Sequence, residues 1–189
     1  MANIIYRFQS KGTGSKELLT VVDFSGSEAI SGLYEFRINL KSESPDIDLE
    51  SMLNAPCVFE MELEGTIRKF NGILSVFDQM HQAGKYTFYQ AVLVPRLWQL
   101  SLYHTNEIYL DMTVEDIIKT ILDECGFSSL DYKIKFTASY PKWPFRCQFG
   151  ESHLQLISRL MEHQGIYYYF EQSEDTEIVV FCDNSQSQE

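Results

Sequence analysis

The chain has 189 residues, enough for one large domain or two small ones with a buried core. Its 27 acidic residues outnumber 15 basic ones, for a formal charge of −12, and such acidity repels the phosphate backbones of nucleic acids. Aromatics make up 14%, with 13 Phe and 11 Tyr, a load that favours strands, where flat rings pack on a pleated face.

The first hundred residues read as strands. Tyr34, Phe36, Ile38 and Leu40 alternate with Glu35, Arg37, Asn39 and Lys41, and Cys57, Phe59, Met61 and Leu63 alternate with Val58, Glu60, Glu62 and Glu64. A period of two describes antiparallel strands with one face on a core and the other in water. Ile4–Ser10, Leu18–Phe24, Ile67–Phe77 and Lys85–Pro95 bring the total to about six strands. Glu64-Gly65 and Ala83-Gly84 carry hairpin turn chemistry, Gly12 to Ser15 a looser turn, and Asp46 to Asn54 one short helix capped by Asp46 or Asp48. Many short strands joined by turns predict a sandwich or small barrel.

After Pro95 the pattern changes. Arg96 to His104 reads as a crossing segment anchored by Trp98 and Leu100. Thr113 caps a helix whose stripe is Val114, Ile117, Ile118, Ile121 and Leu122, with Gly126 closing it and Glu115 and Asp116 in its first turn. Strands are expected at Tyr132–Phe136 and Arg146–Phe149. Then comes the most informative run, Glu151 to Phe170. Ser152 and Gln155 make a capping box, Leu154, Ile157, Leu160 and Met161 an apolar stripe, and Gly165 a left-handed stop before the strand Ile166–Phe170. A last strand follows at Glu177–Cys182. The fold class is therefore mainly β with α+β: a β-barrel-like domain over 1–100, an α+β domain with two helices over 101–183, and a polar, frayed tail over 184–189.

No pattern for catalysis, metal or cofactor binding emerges. His81, His104, His153 and His163 occupy unrelated positions, and Cys57, Cys125, Cys147 and Cys182 form no ligand spacing, so they read as buried free thiols in a reducing cytoplasm. Met1 to Arg7 lacks a signal-peptide pattern, and no apolar stretch approaches the roughly 18 residues that span a bilayer. Ser139 sits in a turn and not in a GxSxG elbow, and Gly12-Thr13-Gly14 is no phosphate cradle. Glu60, Glu62 and Glu64, and the group Glu171, Glu174, Asp175 and Glu177, read as solvated acids. Of Tyr167, Tyr168 and Tyr169, one ring should be buried and two half-exposed; exposed tyrosines also suit protein interfaces. Binding or assembly is the reading that remains.

Five segments together resemble the N-terminal hub region of VgrG, the spike protein of the type VI secretion system, which is similar to contractile-phage tail hubs. The run from Phe24, Gly26 and Glu28 through Ile30-Ser31 to Tyr34 and Phe36 looks like the family's F-x-G-x-E-x-I-S-x-x-Y-x-F. Arg68, Phe70, Gly72 and Ile73 resemble its R-x-F-x-G-I strand, and Tyr86 to Pro95 with Leu97-Trp98 and Leu100 a third motif. Thr113 to Gly126 gives a fourth, and Ser139-Tyr140-Pro141, Gln148-Phe149, Glu151-Ser152 and Arg159 to Phe170 the last. Their shared order covers residues 24–170. Family members continue with a second barrel, an oligonucleotide-binding-type neck and a β-helical spike, so this chain resembles only the first part of the hub.

The resemblance implies a non-enzymatic adaptor that joins the hexameric Hcp tube to a trimeric spike carrying effectors. It implies a homotrimer in the full-length context, synthesis in the cytoplasm and export by the machine. The expected interface uses edge strands and exposed aromatics of the first barrel. Glu151 is expected to serve the helix N-terminus, and Arg159 and Glu162 to tie that helix to its neighbours. A phage or prophage tail hub is the alternative, separable by neighbouring genes. A peptidoglycan hydrolase is a third reading, and it would need two carboxylates roughly 5–9.5 Å apart in a cleft.

Overall fold

Residues 4–13 and 19–184 are described by the computed structural model, so most of the expected loose turn, Leu18 and the polar end of the tail lie outside the described residues. The period-two runs form one antiparallel sheet of six strands: β1 (Ile4–Ser10), β2 (Thr20–Ser27), β3 (Glu35–Ser42), β4 (Cys57–Leu63), β5 (Thr66–Ala83) and β6 (Tyr86–Val94). Their order is β1-β4-β5-β6-β3-β2. β5 organises the sheet. It runs past the expected end at Phe77, pairing with β4 from Thr66 to Gly72 and with β6 from Ile73 to Ala83. Register shifts between Leu74 and Val76 and between Gln79 and His81 bend it, as bulges do. The sheet curls into a half-barrel whose edge strands meet through Tyr6 and Phe24, ring centroids 5.0 Å apart.

Aromatic rings fill the concave face. Phe24 lies 4.8 Å from Phe59, and Phe36 4.3 Å from Phe70. Tyr34, Phe36, Ile38 and Leu40 are all buried, as their alternation predicts. The alternation on β4 fades at its far end, where Leu63 is exposed beside the turn. Glu64 and Gly65 have φ of 52° and 83°, the paired positive values of a type I′ hairpin. The second hairpin turns on Gly84-Lys85, one residue later than expected, because Ala83 still pairs with Tyr86. The short helix is a single turn, α1 (Leu49–Met52), and Asp48, not Asp46, caps it by accepting from Glu50 N–H at 3.1 Å.

The remaining elements are β7 (His104–Tyr109), α2 (Val114–Glu124), β8 (Tyr132–Lys135), β9 (Arg146–Ser152), α3 (His153–Gln164), β10 (Tyr167–Gln172) and β11 (Glu177–Cys182). The crossing segment is a 3-10 turn, Arg96–Ser101, followed by a strand, β7, that the residue pattern does not announce. Most of β7 is exposed, so it carries no burial period to read. β7 pairs with β9 as a ribbon, and β10, β11 and β8 form a separate sheet in which β11 and β8 run parallel.

Both helices have the expected caps. Thr113 and Asp116 close a capping box on α2, and Ser152 and Gln155 one on α3. All five α2 stripe residues are fully buried. The α3 stripe is rotated from expectation: His153, Leu156, Ile157, Leu160 and Met161 are buried, while Leu154 is half-exposed. The chain divides into two compact units. One holds residues 1–28, 33–96 and 172–177, the other 29–32, 97–171 and 178–189. The division expected at residue 100 thus falls inside the second unit, because Leu97 and Leu100 are buried there.

Candidate assembly interface

The polar residues considered for chemistry are engaged in structure. Glu60 pairs with Lys69 at 3.8 Å and Glu62 with Arg7 at 2.7 Å, while Glu64 forms a turn. Glu171 pairs with Lys133 at 2.6 Å and Lys135 at 3.4 Å, which hold its carboxyl below the ordinary range. Glu174 pairs with Lys69, and Glu177 accepts from the Arg96 backbone N–H at 2.7 Å. His81 stacks on Phe88, His163 bonds Gln164, and His104 and Ser139 are exposed. Among the described residues, no group of three His, Cys, Asp or Glu is placed to hold a metal. Cys57 and Cys182 are buried, whereas Cys125 and Cys147 are only half-buried, which corrects the expectation of four buried thiols.

The motif residues prove to be packing devices. A Cβ on Gly72 would meet the Val94 carbonyl oxygen at 2.2 Å, so only glycine fits where β5 changes partner. A Cβ on Gly26 would enter the Phe36 ring at 2.2 Å. Arg68 lies over the Phe70 ring at 4.9 Å and pairs with Glu28. Ser31, at φ 55°, donates its N–H to the Tyr168 carbonyl at 2.8 Å. Tyr34 donates its hydroxyl to the Asn71 carbonyl, and burial first, then the Glu177 charge, raises its pKa well above the ordinary value. Asn71, at a variable position of its motif, is buried and donates to Gln172 Oε1 at 3.2 Å, Ser173 O at 3.0 Å and Thr176 O at 3.3 Å. No sequence signal marks it. Its role depends on a turn a hundred residues away.

Arg159 ties α3 to β9 as expected, through Glu151 Oε1 at 2.5 Å and the Cys147 carbonyl at 3.3 Å; Glu162 is exposed. Of the tyrosine run, Tyr168 is buried, with its pKa pushed up to about 12 by desolvation, and Tyr167 and Tyr169 are half-exposed. Their hydroxyls are already engaged: Tyr167 donates to the Asn184 carbonyl at 2.8 Å, and Lys135 donates to Tyr169 at 3.3 Å.

The exposed apolar surface differs from expectation in its chemistry. On the half-barrel it is aliphatic, at Ile4, Ile5, Val22, Leu63, Ile67, Val76 and Met80. The exposed aromatics are Tyr103, Phe145 and Phe149, all of the second unit. Phe145 and Phe149 belong to the β7–β9 ribbon, where Ile108 pairs with Cys147 and Tyr109 with Arg146. The Met112–Trp143 bridge continues that register, which sets Leu110 opposite Phe145. One face of the ribbon thus presents Ile108, Leu110, Phe145, Cys147 and Phe149, with Ile108 60%, Leu110 60%, Phe145 52% and Phe149 80% exposed. The other face is buried and polar at its centre. Tyr109 O–H donates to Gln148 Oε1 at 3.4 Å, His153 Nδ1 lies 3.1 Å from the same oxygen, and Gln148 Nε2 donates to the Glu151 carbonyl at 2.9 Å. Desolvation pushes Tyr109 up to about 12 and lowers His153 despite the nearby charges of Glu124 and Glu107.

A curled antiparallel half-barrel joined to an α+β unit, with its charges paired and an apolar ribbon face, defines a structural protein of phage-tail type. The chain belongs to the phage tail baseplate hub (GPD) family, which matches residues 27–189. Over 168 residues, 88% of this chain, it is 33% identical to the type VI secretion system spike protein VgrG1b of Pseudomonas aeruginosa, but that stretch is 22% of the relative. A second spike protein of that organism, VgrG1a, is also 33% identical, over 26% of its length. The chain thus spans about a quarter of these relatives. An E. coli type VI secretion component, structurally similar to the T4 tail proteins gp27 and gp5, superposes with a TM-score of 0.89 at 25% identity, over 97% of this chain and half of the other.

Proposed function

We propose that this chain builds part of the hub of a type VI secretion spike, joining a hexameric Hcp tube to a trimeric spike by assembly and without turnover. The observation that carries this reading is the whole-chain superposition on the E. coli type VI component, with family motif residues such as Gly26 and Gly72 sitting where packing demands them. Homotrimer formation in the full-length context, effector carriage, synthesis in the cytoplasm and export by the machine belong to the same proposal.

A prophage tail protein from Shewanella oneidensis shares the fold at a TM-score of 0.59 and 11% identity, so the fold alone also suits a phage hub. The identity to spike proteins favours secretion. Hydrolysis has no support at Glu151, whose carboxylate is held by Arg159. The test is binding of the purified chain to the Hcp protein encoded beside it, by light scattering and co-sedimentation. Association with assembled Hcp is expected; its absence, both for this chain and for one extended to the spike, sinks the reading.

A further inference from the structure

The β7–β9 ribbon carries an apolar ladder on its exposed face and an acid–base asymmetry along its edges. In a two-stranded sheet both strands are edges. The β7 side bears Glu107 and, just beyond it, Asp111; the β9 side bears Arg146 and, just before it, Lys142. Among the described residues, none of these four is in an ion pair, whereas Glu151 on β9 is neutralised by Arg159. No charged side chain interrupts the ladder of Ile108, Leu110, Phe145, Cys147 and Phe149.

From this juxtaposition we propose that the ribbon face binds a second copy of the chain head to tail, the acidic β7 margin of one copy against the basic β9 margin of the next. This proposal rests on the hub reading and names the surface through which copies meet. Two quantities favour it. The exposed part of the ladder amounts to on the order of 500 Å² of apolar surface, given that an aromatic side chain buries about 150–250 Å². A standard stable interface buries about 800 Å² per partner, a little over half of it nonpolar, so the ladder supplies such a centre and the charged margins its rim. The charges also select the partner. A face without cations, on a chain of charge −12, has no attraction for nucleic acid or an anionic bilayer. Its opposed margins complement a copy of themselves. Contact between unlike margins is heterologous, and such contacts close into rings.

The experiment is light-scattering mass across a concentration series for the chain and for Phe149→Ser, Glu107→Lys and Arg146→Glu. Wild type is expected to exceed the monomer mass at high concentration, and each variant to stay monomeric with its circular dichroism unchanged. Mixing Glu107→Lys with Arg146→Glu is expected to restore association, since each then offers the margin the other lacks. A within-chain role for these charges would give no rescue on mixing. A monomeric wild type at all concentrations overturns the proposal, as does self-association untouched by the substitutions or no rescue in the mixture. Hcp binding read in parallel separates the two claims. If Hcp binds while the chain stays monomeric, the hub reading stands and this surface assignment falls; if Phe149→Ser abolishes only Hcp binding, the face belongs to the tube.

Discussion

The outward rows of β1, β4 and β5 carry Arg7, Glu60, Glu62 and Lys69, tied to one another by ion pairs. The outward rows of the β7–β9 ribbon carry Ile108, Cys147, Leu110, Phe145 and Phe149, with nothing over them in the single chain. Both are antiparallel surfaces with a filled opposite face. The first is finished for water: its charges stay solvated and contribute little to stability, as surface pairs do. The second leaves apolar area in water, a state that soluble proteins keep where another surface is to be met. The difference teaches that in this chain the adhesive surface is marked by what its strands lack, namely charge.

Paired substitutions on the two surfaces sharpen that contrast. Phe59, fully buried among the rings of Tyr6, Phe24 and Phe36, should cost about 3–5 kcal/mol on truncation to Ala. Phe149→Ala, measured on the same chain by urea denaturation at low concentration, should stay within about 0.5 kcal/mol. A large loss at Phe149 in the monomer would mean that its ring supports the ribbon itself, and the contrast would break.

Gly72→Ala is expected next, at about 1–3 kcal/mol, since the added methyl must push β5 away from the Val94 carbonyl. Gly84→Ala, open to solvent although its φ is 61°, should cost less, and thermal unfolding of the two variants compares close approach with backbone strain alone. Ser152→Ala removes the cap of α3 and should cost about 1 kcal/mol, with Ser152→Asp recovering most of it.

The smallest effect concerns the ribbon's buried side. Burial lowers the pKa of His153, so the folded chain binds its proton less tightly than the unfolded chain does. Its contribution is therefore complete above the ordinary imidazole value of about 6.5 and is lost as pH falls through that value towards the lower folded one. The urea midpoint should decline from pH 7 to pH 5, and His153→Gln should flatten part of that decline. An unchanged slope would show that other groups set the acid sensitivity.

Most of the half-barrel is legible in the residues because its signals are local. Alternation gives β3 and β4, Glu64-Gly65 gives a hairpin, and Thr113 and Ser152 give both helix starts, since each rests on contacts within a few positions. The ribbon is not legible in this way. β7 has one buried side chain, and Phe149 reads in sequence like any core aromatic. Its exposure follows from the register with Ile108 and from the left-handed Gly150 beside it, both of which depend on β7 and β9 meeting across some forty residues. Asn71 likewise has no meaning until Gln172 and Thr176 arrive beside it.

By itself, then, the sequence determined the strand-rich class, the caps, the turn glycines and the ordered motifs of a tail hub, because short-range sterics and periodicity encode them. Only the tertiary structure decided the bend of β5, the rotation of the α3 stripe onto His153 and Leu156, and the side of the ribbon on which the apolar ladder faces water. Those depend on which distant strand pairs with which, and a slip of one residue would turn every side chain to the opposite face.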